Sequence, residues 1–532
     1  MNKKLLLGAE AVGQGAIDAG ISGAYAYPGT PSTEITEYIQ RSGTAAERGI
    51  RSAWSANEKT AYEAALGMSF AGKRSIVSMK HVGLNVAADG FVNSAVTGVN
   101  GGLVLVVADD PSMHSSQNEQ DSRVYGKFAM VPILEPSNQQ ELYDGVFAAF
   151  ELSERTQLPV MVRMTTRLSH SRAAVCLAEP MAQKPLCPET EAGKFVLLPQ
   201  IARDRYALLV EKQVSLERLS EDSFLTGAQF YDGKKEVGII AFGIAYNYVM
   251  EVVSRHHLPV SVLKIGQYPL PKKMIRDFLN RHDTVLIAEE GYPVAEELIR
   301  GLFDDPRVRG RLDNVLPRTG ELTPDAIAAA LGLIRERGVE SPFPVPTRPP
   351  QLCKGCSHRD LFVALHRALD AYAKKSVFSD IGCYTLGALP PFNSIHSCVE
   401  MGASITMAKG AADAGMRPAI AVIGDSTFTH SGITGLLDAV NDHAAVTVVI
   451  SDNYTTAMTG GQASSGTGKL FEICKGIGAD PAHIRTIVPL EKNIEENVAV
   501  LKEEFAYDGV SVIIASRECI QTAKRHKKAS QS

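Results

Sequence analysis

Along the chain, short runs of branched apolar residues alternate with longer stretches in which apolar positions recur every three or four residues. The first pattern reads as strands covered on both faces and the second as amphipathic helices. Strand-like runs stand at 23–27, 75–79, 102–108 and 159–162, then at 237–241, 260–264 and 285–289, and again at 419–423 and 446–450. Strands that alternate with helical patterns predict an α/β fold built on parallel sheets. A more polar, less periodic stretch at 186–235 reads as a linker containing one helix, placed over 189–219. The proline-rich residues 341–352, SPFPVPTRPPQL, read as an extended connector. Three α/β units are therefore expected, at 1–185, 236–340 and 353–525, which suits a chain of 532 residues, too long for one core.

Composition adds mainly exclusions. With 45% hydrophobic and 21% charged residues the chain is ordinary for a soluble globular protein, and a net charge of −5 gives no sign of a nucleic-acid surface. The basic end, residues 524–528, reads as a solvated tail. After Lys3 and Lys4 the apolar stretch Leu5, Leu6, Leu7 is too short for a signal peptide, and no later run approaches a membrane span. A cytosolic, cytoplasmic location is expected. In that compartment eight cysteines argue for metal chemistry, redox chemistry or packing rather than disulfides.

Residues 424–453 carry the first chemical signal. The run at 419–423 stops at Gly424-Asp425, a helical segment follows at 431–443, and the next run, 446–450, stops at Asp452-Asn453. Ligands of parallel α/β sheets sit at the carboxyl ends of strands, so Asp425 and Asn453 would emerge side by side. One carboxylate, one amide oxygen and the backbone carbonyl of Thr455 offer Mg2+ oxygen ligands and leave places for two phosphate oxygens and water. Gly424 would let a diphosphate approach the backbone. The plainer alternative is two ordinary strand-end turns.

The spacing resembles the GDG…N signature of thiamine diphosphate enzymes, with Ser426 in place of the last glycine. "TGGQ" at 459–462 resembles a segment of 2-oxoacid:ferredoxin oxidoreductases. "DIGCYTLGALPPFN", "MGASITMAKGAADAG" and "GDSTFTHSGITGLLDAV", with "WSANEKTAYEAALG", "MKHVGLNVAADG" and "DDPSMHSSQNEQDSRVYGKF" nearer the start, resemble the large subunit of indolepyruvate:ferredoxin oxidoreductases over nearly the whole chain. The resemblance implies two thiamine-binding α/β domains, one for the pyrimidine and one for the diphosphate. A domain like the C-terminal domain of transketolase lies between them.

It also implies roles. Glu58 matches the glutamate that hydrogen-bonds the pyrimidine ring and drives its imino tautomer; from position alone it is a helix-start acid. Thr30 and Arg123 match positions that hold the 2-oxoacid, although Arg123 in a polar loop otherwise reads as a surface arginine. His81 and Asn85 would line the same site. Pyruvate-using relatives carry an asparagine before TGGQ, where this chain has Met458, and a flexible thioether suits an aromatic ring, so an arylpyruvate is the expected substrate. Family members hold a 4Fe-4S cluster through four cysteines in the order of Cys353, Cys356, Cys383 and Cys519, while Cys398 and Cys474 read as packing residues, Cys474 being the reserve for the fourth ligand. Zinc on the same thiolates is the structural alternative. Coenzyme A is the implied co-substrate. The implied partners are a small subunit in an α2β2 heterotetramer and ferredoxin or another electron acceptor. The two CxxCxxCxxxC runs of the family's ferredoxin-like domain are absent from these 532 residues, so electrons are expected to leave for a separate protein. A non-oxidative 2-oxoacid decarboxylase would need the magnesium site and Glu58 but no cluster.

Overall fold

The computed structural model describes residues 3–187, 195–231, 236–301, 305–333, 343, 351–372, 376–398 and 400–529. They fall into two compact units, Met1–Glu340 and Ser341–Ser532. Most of the proline-rich connector, and part of the linker before 236, lie outside the described residues.

The first unit is built on a seven-stranded sheet. Its order is Gln267–Tyr268, Ile133–Leu134, Val160–Thr165, Leu103–Asp109, Ser75–Lys80, Gly23–Ala26 and Arg51–Trp54. All neighbours are parallel except the first pair. Leu103–Asp109 is buried along its whole length because both its faces are covered. Val104, Val106 and Ala108 share a core with helices Gly8–Asp18 and Gln139–Thr156, while Leu103, Leu105 and Val107 share another with helices Glu58–Phe70 and His81–Thr97. A second sheet of five strands has the order Val308–Arg309, Thr284–Ala288, Val237–Phe242, Ser261–Ile265 and Gly227–Gln229, the last antiparallel. The pair Gln267–Tyr268 follows directly on a strand of this second sheet yet closes the edge of the first, so the two sheets are stitched by the chain itself.

The second unit carries a six-stranded parallel sheet in the order Ser397–Cys398, Ser376–Ser379, Ala419–Gly424, Val446–Asp452, Ser511–Ser516 and Ile484–Ile487. Helices Ser357–Leu369 and Ile494–Phe505 cover one face through a core with Ile420, Val422, Val449 and Ile513. Ala403–Asp413, Ile433–Asn441 and Leu470–Ile477 cover the other through Ala421, Ile423, Val448 and Ile450.

The parallel α/β class expected from the apolar pattern is what forms. Two local expectations differ. The helix after the first signature glycine does not start at 431: it begins at Asp425–Thr427, passes through a π turn at Phe428–Gly432 and continues as Ile433–Asn441. The basic end, expected as a solvated tail, is exposed at 524–527 but helical, as part of Ile520–Ala529. Among the described residues no helix is long and apolar enough to cross a membrane.

Candidate functional site

In the second unit Gly424 pairs in register with Ser451, so the parallel strands release Asp425 and Asp452-Asn453 side by side. Asp425 is buried, and its Oδ2 has no hydrogen-bond partner. Burial, reinforced by the neighbouring charge of Asp452, pushes its carboxyl up to about 7. Asn453 Oδ1 accepts from the Thr455 amide at 3.1 Å, and Thr455 opens a short hairpin, Thr455–Thr456 against Gln462–Ala463. Thr456 Oγ1 and Ser426 Oγ, 3.0 Å apart, tie that hairpin to the helix start. A buried carboxylate with one oxygen unused beside a second carboxylate is a donor set that a divalent cation would relieve. Among the described residues no cluster of three His, Cys, Asp or Glu side chains is arranged to hold a metal, so amide and backbone oxygens would have to complete its shell. Met458, on the turn within the hairpin, is 59% exposed.

Gly424 has a reason that the sequence did not show. A Cβ there would stand 2.7 Å from Cε1 of Tyr384. Tyr384 in turn donates to Asp380, which also accepts from Ser404 Oγ at 2.6 Å, and burial pushes Asp380 up to about 7. Asp380 ends its own strand just as Asp425 does, which was the signal available for it.

Cys353, Cys356, Cys383 and Cys519 line one cavity of about 110 Å³ together with Asn453, Gly460 and Gly461. Burial and the adjoining thiols push Cys383 up to about 12 and raise Cys356. Cys474 lies elsewhere, packed in the core, and Cys398 is exposed with its thiol 3.7 Å from the Asp380 carbonyl. His358, unremarked in the sequence, is buried beside them; its Nδ1 lies 3.1 Å from Cys356 Sγ, and burial holds it down to about 4.

In the first unit Glu58 is buried at the first position of its helix, behind the cap Asn57. Its carboxylate lies against Gly83: a Cβ at that glycine would meet Glu58 Oε1 at 2.4 Å. Thr30 is half-buried, and its carbonyl accepts from Ser115 Oγ at 3.3 Å. His81 is buried, with Nε2 3.3 Å from the Asn118 carbonyl and Nδ1 without a partner, and burial lowers its pKa. Asn85 is bonded to Gln120 and Tyr125. Lys80, a residue the sequence did not single out, donates to the Ser115 carbonyl at 2.7 Å and is lowered to about 8 by burial.

Arg123 is not at the surface. It is 1% exposed, and its nitrogens already donate to Asp121, Glu289 at 2.7 Å, Tyr268 at 3.2 Å and the carbonyls of Glu290 and Tyr292. A substrate carboxylate would have to displace one of these partners. Arg123 thus ties the first sheet to the second, a task that its polar neighbourhood in sequence conceals.

A family model for thiamine diphosphate-binding pyruvate flavodoxin/ferredoxin oxidoreductases matches residues 14–207, and one for the C-terminal TPP-binding domain of thiamine pyrophosphate enzymes matches 380–515. The chain is 40% identical to indolepyruvate oxidoreductase subunit IorA of Archaeoglobus fulgidus, over 97% of this chain and 86% of that protein. It is 39% identical to the Pyrococcus abyssi subunit of the same name, over 97% and 85%. A solved structure of a 2-oxoglutarate:ferredoxin oxidoreductase from Magnetococcus marinus, with 2-oxoglutarate, coenzyme A and succinyl-CoA bound, superposes with a TM-score of 0.51. It is 17% identical, over 62% of this chain and 65% of that one, and shares the fold. Fold and sequence together define an oxidoreductase with thiamine diphosphate-binding domains. Within that class the chain belongs to the family of indolepyruvate oxidoreductase IorA subunits.

Proposed function

We propose that this chain is the large subunit of an enzyme that oxidatively decarboxylates an aryl 2-oxoacid of the indolepyruvate or phenylpyruvate type to the aryl-acetyl thioester of coenzyme A. Electrons leave through one 4Fe-4S cluster to ferredoxin or another acceptor. The observation that carries the reading is the unpartnered, buried Oδ2 of Asp425 at a strand end, in a unit that also gathers four cysteines around one cavity.

Thiamine diphosphate, when bound, supplies the nucleophilic carbon that adds to the keto group and retains the electrons left as carbon dioxide departs. Asp425, with Asn453 and the Thr455 backbone, would hold Mg2+ and through it the diphosphate, and Gly424 and Ser426 would flank it. Glu58 would hold a proton at the pyrimidine ring nitrogen. Thr30 and His81 would line the 2-oxoacid, and Met458 would rest against its ring. Cys353, Cys356, Cys383 and Cys519 would ligate the iron. Four thiols lining one small cavity are the donor type that a cluster takes, which supports the reading, although among the described residues no three of them are drawn together as a metal site. The relatives are named as subunits, which supports a partner subunit; a small partner in an α2β2 assembly is what the resemblance implies.

The test is anaerobic purification with the partner subunit, followed by assays of iron, sulfide and thiamine diphosphate and of coenzyme A-dependent dye reduction with indolepyruvate, phenylpyruvate and pyruvate. Four irons and one cofactor per chain, with arylpyruvate preferred, support the reading. Arylacetaldehyde as the product, with no iron and no dye reduced, would replace it by the non-oxidative decarboxylase.

A further inference from the structure

The basic end of the chain is a sequence feature that the proposed function leaves without a task. Its helix, Ile520–Ala529, starts directly after Cys519. The Cys519 amide donates to the Asn453 carbonyl at 3.2 Å, Gln521 Nε2 donates to Cys353 Sγ at 3.5 Å, and Arg525 Nη1 donates to the Gly460 carbonyl. Gly460 and Gly461 have φ of 126° and 94°, a region that glycine alone enters cheaply. A Cβ on Gly461 would also stand 3.2 Å from Arg525 Nη1, so the guanidinium is seated against bare backbone. The same arginine lines the cysteine cavity. One exposed side chain therefore touches the turn that presents Met458 and forms part of the wall around four thiols.

We infer that Arg525 is a positioning residue with two effects. It latches the turn at 457–462 to the helix that follows Cys519, and it sets a permanent positive charge beside the thiolates. The second effect rests on the proposed cluster; the first does not. A guanidinium suits both, being always protonated and able to hold a carbonyl with a rigid fork. A fixed cation favours the reduced, more negative form of a cluster, so its removal lowers the potential.

The test uses the full chain with Arg525→Gln, Arg525→Lys and, as a control in the same basic stretch, Lys524→Gln. Hydrogen–deuterium exchange without cofactors reads the latch: amides of 457–462 should exchange roughly fivefold or more faster in Arg525→Gln, by an intermediate factor in Arg525→Lys, and unchanged in Lys524→Gln. Wild-type exchange in Arg525→Gln overturns the latch. An EPR-monitored redox titration of the iron-loaded protein reads the charge: the midpoint should fall in Arg525→Gln and hold in Arg525→Lys at equal iron content. An unmoved midpoint in loaded Arg525→Gln overturns the charge effect. If the wild-type chain takes up no iron, the reading of the cysteines fails with the charge effect, and exchange still decides the latch.

Discussion

At the scale of single residues, the site is made of groups that are uncomfortable without a ligand. Asp425 bears a buried oxygen with no donor, and its carboxyl is pushed up to about 7 by burial and by Asp452. Folding the chain around such a group costs stability that a bound cation, or a proton below about pH 7, returns. Asp425→Asn should therefore weaken magnesium-dependent thiamine diphosphate binding roughly a hundredfold, since a charged ligand becomes a neutral one. The cofactor-free protein should unfold within about 0.5 kcal/mol of the parent, or later, because no core volume is lost. Calorimetric titration and denaturant unfolding measure the two halves, and parental affinity in the variant would remove Asp425 from the proposed metal site. Asp425, Asn453 and the cysteines were legible because strand ends and thiols announce chemistry by residue type. Arg123, Asp380 and His358 were not: what defines them is burial among distant partners such as Glu289, Ser404 and Cys356, and nothing local in sequence records that.

At the scale of elements, one helix shapes the start of another, where the proposed catalytic acid Glu58 stands. Helix His81–Thr97 passes the start of helix Glu58–Phe70 so closely that Gly83 is the space in which the Glu58 carboxylate lies. Gly83→Ala replaces a poor helix former by the best one, worth about 1 kcal/mol in favour of the helix. Its Cβ would fall 2.4 Å from Glu58 Oε1 and 2.6 Å from Glu58 Cγ, so the whole buried side chain, not only its end, has to shift. The helix gain and this clash oppose each other in stability, whereas activity only loses: thiamine-dependent turnover should fall about ten- to a hundredfold because the carboxylate is displaced by the order of 1 Å. Parental turnover in this variant would mean that the position of Glu58 is not critical. The long central strands, such as Leu103–Asp109 and Val446–Asp452, were legible as unbroken apolar runs. The edge pieces were not, because Arg51–Trp54 is only partly buried and Gln267–Tyr268 is two residues long, too short to carry a period.

At the scale of the whole molecule, the first unit joins its two sheets through buried charge rather than apolar surface alone. Among the described residues, Asp109, Asp121, Glu135, Glu289 and Glu290 form ion pairs with three guanidinium groups, those of Arg123, Arg163 and Arg311. Carboxyl groups in excess must keep protons, and burial pushes Glu290 up to about 7 despite Arg311 at 3.6 Å. In the unfolded chain the same group releases its proton near 4.3. Between those values the folded state binds more protons than the unfolded one, so stability contributed here falls as pH rises from about 4.3 to 7 and levels off above. The size is on the order of 1–3 kcal/mol. Glu290→Gln keeps the shape and cannot ionise, so it should flatten that part of the profile and leave the variant more stable than the parent at pH 8. Arg123→Met works in the opposite direction: it strands Asp121 and Glu289 without their cation and should cost about 3–5 kcal/mol. Denaturant unfolding from pH 5 to 8 distinguishes the pair, and a parental slope in Glu290→Gln would place the shared proton on Asp109 or Glu289, the other carboxyls that burial raises.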